Sequence, residues 1–175
     1  MNFNFENLDG QTRELMSNEI KGDINTGHLN LSKRFNDNGV RLYPGLLHQS
    51  VSNGDEVTLS STLKASDCFK TEEERRTKSG VSMVRVPETA SQTFAEGEFN
   101  RFYIRALCLR AIESDQELKV YRARHSDNPR MESQLMIGQT VDPNKLLGDL
   151  RQNIGVDTAL GLPAGPNSGL SVRLV

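Results

Sequence analysis

Over the first 70 residues the apolar positions recur in short runs with helical spacing. Leu15, Met16 and Ile20 follow Asp9, a residue type that caps helix N-termini, and Ile24 extends the run toward Gly27, which ends it. Ser32 predicts a short helix through Phe35, closed by Asn38-Gly39. Pro44 suits the first turn of another helix, carrying Leu46, Leu47 and Val51 and stopped by Asn53-Gly54. Asp55 then caps a helix with Val57, Leu59 and Leu63. Residues 1–70 are therefore expected to form a helical N-terminal subdomain.

The stretch TEEERRTKSG at 71–80 has no apolar residue and reads as a solvated polar linker. Beyond it the period changes to two. Val81, Met83 and Arg85 alternate with Ser82, Val84 and Val86, which predicts a strand. Pro87 ends this strand and opens a helix through about Glu96, with Gly97 as a break. The next helix, about residues 99–113, is apolar on nearly every side: Phe99, Phe102, Tyr103 and Ala106 share one face, Ile104, Cys108 and Ile112 another. Such a helix needs to be buried, in the core or against a second copy of the chain.

Leu118, Val120 and Tyr121 mark a second strand, and Asp142-Pro143 caps a helix with Leu146, Leu147 and Leu150 that ends at Gly155. GLPAGPNSG is dense in turn formers, and LSVRLV closes the chain as a strand. The expected class is α+β: a helical N-terminal part followed by a small antiparallel or mixed sheet packed on a central apolar helix, with residues 81–175 as the α+β subdomain.

Composition narrows the function classes. A net charge of -2 gives no global basic excess, so any nucleic-acid contact has to be local. The two cysteines, Cys68 and Cys108, show no CxxC spacing, and the three histidines are scattered, so no metal site is expected. Walker, dinucleotide, GxSxG and HExxH patterns are absent from the sequence, so no cofactor is expected. PAGPNSG at 163–169 lacks the lysine and following helix of a phosphate loop and reads as a rigid turn. The opening MNFNFENLDG has neither a basic nor an apolar signal region, and no run of about 18 apolar residues occurs. A cytoplasmic protein with no membrane partner is the expectation.

Arginines supply the candidate chemistry. Arg101 and Arg105 fall on one face of the apolar helix, suited to carboxylates at the core's rim or, more sharply, to phosphate. Arg122, Arg124 and Arg130, in YRARHSDNPR, form the densest local positive cluster. The order VSMVRVP, ETASQTFAE, Gly97, NRFYIRALCLRAI resembles a ribbon–helix–helix DNA-binding unit. That resemblance implies two chains pairing their strands, with Met83 and Arg85 facing the groove and Asn100 and Arg101 near the backbone. Glu117-Leu118-Lys119 resembles part of a metal-dependent nuclease core, in which the carboxylate holds a divalent cation and the lysine orients water. Tyr121-Arg122-Ala123 resembles the first strand of ADP-ribosyltransferases, but about fifty residues follow, too few for the rest of that fold.

The sequence reading is thus a non-enzymatic binding or accessory protein, self-associating, that contacts nucleic acid or another polyanion through Arg101, Arg105, Arg122, Arg124 and Arg130. A protein-interaction subunit is the alternative, and a nuclease using Glu117 and Lys119 a more distant one.

Overall fold

The computed structural model describes residues 2–78, 80–155 and 168–175. The fold is α+β. Helices α1 (Gly10–Thr26), α2 (Asp37–Asn53) and α3 (Glu56–Ala65) come first. A hairpin of β1 (Glu72–Thr77) and β2 (Gly80–Arg85) follows, then the long helix α4 (Ala90–Ser114). The remaining elements are β3 (Leu118–Arg122), α5 (Met131–Met136), β4 (Thr140–Val141), α6 (Pro143–Gln152) and β5 (Leu170–Leu174). A three-stranded antiparallel sheet runs in the order β4-β3-β5.

Side chains that satisfy orphan backbone donors set the helix starts. Asp9 accepts from Thr12 N at 2.9 Å, Asp55 from Thr58 N at 2.8 Å, and Asp142 from Asn144 N at 2.9 Å. Gly27, at φ 71°, ends α1 in the left-handed region. The expected helix after Ser32 does not form. Phe35 instead makes an isolated antiparallel bridge to Phe69, and Asn36 caps α2 through Gly39 N at 2.8 Å. Pro44 accordingly lies inside α2, not at its start.

Two larger corrections concern the middle of the chain. The stretch expected as a linker carries β1, paired with β2 from Glu72↔Arg85 to Thr77↔Gly80. Gly97 does not break a helix: α4 runs unbroken for 25 residues. The ribbon–helix–helix pattern needs two helices there and a strand that pairs with a second chain. Here the helix is one, and β2 is paired within its own chain.

Helix α4 is the axis of the core. Phe99, Phe102, Tyr103, Ile104, Leu107 and Cys108 are buried on different sides of it. Helices α1, α3 and α6 and strand β5 all pack against it. The same core includes Met16, Leu47, Leu59 and Leu63 from the N-terminal helices and Val120, Leu146 and Val172 from the C-terminal elements. The apolar surface that prompted an expectation of self-association is therefore largely covered within the chain, with Ile112 left exposed. Among the described residues no helix is long and apolar enough to cross a membrane.

Candidate functional site

The five arginines of the sequence reading do not form one surface. Arg105 is only 2% exposed. Its guanidinium donates to Glu19 at 2.7 Å and to both oxygens of Asp23, and it stacks 4.9 Å from the Phe102 ring. Arg151 joins from α6, donating to the same Glu19. Burial pushes the Glu19 carboxyl up, but Arg151 and Arg105 outweigh it and hold the group below its ordinary value. This cluster ties α1, α4 and α6 together, with Arg105 enclosed and Arg151 half exposed. Arg122 is half-buried on β3 and donates to the Ser168 carbonyl. Arg130 is exposed at the start of α5.

Arg101 and Arg124 are brought together, at a cavity of about 380 Å³ that both line. The N-terminal half of α4 forms its floor through Ala90, Thr93, Phe94 and Gly97. Phe3, the loop before α2 and the backbone leading into β5 supply the other walls. Each wall has a local cause. Phe3 N donates to Glu56 Oε1 at 2.8 Å and Asn4 N to Ala123 O at 2.8 Å, which straps the N-terminal segment across the sheet. Asn100 Nδ2 donates to Leu170 O at 2.8 Å and Asn100 Oδ1 accepts from Ser171 Oγ at 2.6 Å, fixing β5 onto α4. Gly169, at φ 65°, brings its backbone against Arg124: a Cβ there would stand 2.1 Å from the Arg124 carbonyl oxygen.

Gly97 has the opposite environment. A Cβ built on it meets nothing within 4 Å, because this side of the helix opens into the cavity. Glycine inside a helix costs about 0.5–1 kcal/mol relative to alanine, and here its effect is to leave volume free.

Glu98 is the most deeply buried acid of the cavity. It accepts from Asn30 Nδ2 at 2.7 Å, and Arg101 Nε lies 3.6 Å from its Oε1. Tyr43 OH approaches its other oxygen at 3.5 Å. Burial raises the Glu98 carboxyl above its ordinary value despite the pull of Arg101, Asn30 and Tyr43. Arg101 spends one amino group on the α6 end, donating to Asn153 O at 2.7 Å, while its buried Nε makes no hydrogen bond. Glu96 accepts from Gln92 at 2.9 Å and from Arg124 at 3.2 Å, and the Arg124 guanidinium lies 5.5 Å from the Phe3 ring centre.

The titratable side chains that line the cavity, among the described residues, are the carboxylates Glu73, Glu96 and Glu98, one lysine and three arginines. Among the described residues no histidine or cysteine lines the cavity. Cys108 is buried within the core, its thiol pushed up to about 12 mainly by burial. Glu117 is exposed at the foot of β3 and Lys119 faces Thr140 and Arg173 across the sheet. Among the described residues no group of three His, Cys, Asp or Glu gathers as a metal would require.

Sequence reasoning missed Glu98, Asn30 and Phe3. No local signal marked Glu98, which precedes the apolar run expected over residues 99–113. Asn30 and Phe3 reach the site through chain topology, which local pattern does not encode. Comparison with known proteins adds no assignment: no family model, curated protein or solved structure matches the chain.

Proposed function

We propose that this is a non-enzymatic binding protein whose ligand is a small organic anion with an apolar part, held in the α4 cavity. The observation that carries the reading is a buried acid and a buried guanidinium, Glu98 and Arg101, set inside a cavity walled by Phe3, Phe94 and Leu170. Small-molecule sites combine this size, an apolar lining and a few convergent polar groups. Charge favours an anion. Arg34 pairs with Glu73, Arg124 with Glu96 and Arg101 with Glu98, which leaves Lys33 in excess on the rim. The arginine reading of the sequence thus carries over to Arg101 and Arg124, with a small anion in place of a polymer.

The test is thermal stabilisation and calorimetric titration with benzoate and phenyl phosphate, with benzylamine as the cationic control. Ligand at a hundred times its dissociation constant adds about 2.7 kcal/mol to stability. The anions should stabilise the wild-type protein and not Gly97→Leu, whose side chain fills the cavity while the helix stays intact. Equal response to benzylamine, or stabilisation that survives Gly97→Leu, would sink the reading.

A further inference from the structure

The β1–β2 hairpin stands out from the body as a two-stranded ribbon, and its charges are sorted along its length. Glu72, Glu73 and Glu74 share its root with Arg85, which lies opposite Glu72; Arg75, Arg76 and Lys78 occupy its outer half, where no acid is present. Every described residue from Glu74 to Met83 is exposed. The root is fixed to the body: Arg34 donates to both oxygens of Glu73 at 2.8 and 2.7 Å, Val86 N donates to Thr71 O, and Lys70 N to Arg34 O. Among the described residues no ion pair engages Arg75, Arg76 or Lys78.

Register places these cations around the tip. Arg75 lies opposite Ser82 on one face, Arg76 opposite Val81 on the other, and Lys78 sits in the turn. The face of Arg76 also carries Val81 and Met83, which are 62% and 58% exposed. An exposed ribbon with apolar side chains on one face is ordinarily an association liability, so this one calls for an occupant.

We propose that the ribbon is a DNA-contacting arm whose cationic tip enters the major groove of a B-form duplex while the three glutamates stay at its mouth. Dimensions support the fit. A two-stranded ribbon is one of the elements that the groove, about 12 Å wide and about 8.5 Å deep, admits. Three residues from Arg75 to the turn span about 10 Å at the usual strand rise, so the first acid, Glu74, lies about one groove depth from the tip. Phosphates on the two walls meet Arg75 and Arg76 from opposite faces, and Val81 and Met83 offer apolar contact to thymine methyl groups. The net charge of -2 means that the body adds no attraction of its own, so binding has to come from the tip.

The experiment is fluorescence anisotropy of a labelled mixed-sequence 20-base-pair DNA duplex with the full chain between about 30 and 200 mM salt. Non-specific affinity in the range of about 10⁻⁴–10⁻⁶ M is expected at the low end, with a log–log salt slope of about -2 to -3 for three phosphate contacts. The triple variant Arg75→Gln/Arg76→Gln/Lys78→Gln should lose at least about tenfold in affinity and most of that slope. Its circular dichroism should be unchanged, because all three positions are exposed. Arg130→Gln should behave as wild type. The proposal is overturned by undetectable binding at the lowest salt, by a triple variant that binds as well as wild type, or by competition from polyglutamate as strong as that from unlabelled duplex, which would make the arm an acidic-protein contact. Equal affinity for an RNA duplex, whose major groove is too narrow to enter, would overturn the groove geometry.

Discussion

Arg105 and Asp23 meet inside the protein through two parallel hydrogen bonds, Nη1 to Oδ2 at 2.6 Å and Nη2 to Oδ1 at 2.9 Å. The fork-on-fork geometry spans 82 residues of sequence and fixes α1 against α4. Removing one partner of such a pair strands the other in a dry environment. Arg105→Met should therefore destabilise the fold by about 3–5 kcal/mol in urea denaturation. Arg105→Lys should recover little of this, since an ammonium cannot reproduce the fork. A loss below about 1 kcal/mol for Arg105→Met would mean that the cluster is solvated.

Two buried acids should impose opposite pH dependences. Glu19 is held below its ordinary value of 4.5, so the stability it contributes is complete above that value and is lost as pH falls through its lower folded value. Glu98 is raised above 4.5, so its contribution is complete below that value and is lost as pH rises through its folded value. Glu98→Gln should therefore flatten the decline of stability on the alkaline side of pH 4.5 and leave the acid limb in place. Urea midpoints of both proteins at half-unit intervals from pH 3 to pH 8 give the comparison, and superimposable curves would contradict the burial assigned to Glu98.

Gly97 and Gly169 should respond oppositely to the same small substitution. Gly97→Ala adds a methyl group to open space in a helix and should stabilise by about 0.5–1 kcal/mol. Gly169→Ala forces a side chain into the left-handed region and against the Arg124 carbonyl, and should cost at least about 1–3 kcal/mol. Thermal melts of the two variants read both signs directly.

The N-terminal strap should matter to ligand binding more than to folding. Phe3→Ala removes one cavity wall and the ring beneath the Arg124 guanidinium, while Phe5, against Phe99 and Tyr103, keeps the segment docked. A cation over an aromatic ring contributes about 0.5–2 kcal/mol. Phenyl phosphate affinity should fall by about three- to thirtyfold, against a much smaller change in melting temperature. Equal losses in both would assign Phe3 to the core.

How much of this was legible in the sequence depended on whether the cause was local. Asp9, Asp55 and Asp142 announced the starts of α1, α3 and α6 because capping acts within three residues. The burial of residues 99–108 was legible because apolar side chains recur on nearly every side of the helix. Gly97 and Pro44 misled because tertiary packing overrides propensity inside α4 and α2. Strand β1, EEERRT, was invisible to hydrophobic period: its residues are mostly exposed, and pairing with β2 alone makes it a strand. For the arginines, sequence supplied the charges and withheld their partners. Glu19 and Asp23, four apart on α1, mirror the spacing of Arg101 and Arg105 and were the available hint.

The first and last stretches of the described chain are stitched to each other: Leu174 N donates to Asn7 Oδ1 at 3.0 Å, and Arg173 reaches Glu6 at 3.1 Å. Asn100 likewise waits for Leu170 before its amide is satisfied. During synthesis the early helices thus emerge long before the strand that completes their surroundings. A ribosome-bound chain halted before residue 168 should hold α1 to α3 while lacking one side of its cavity, and it should be easily cut by protease until β5 arrives.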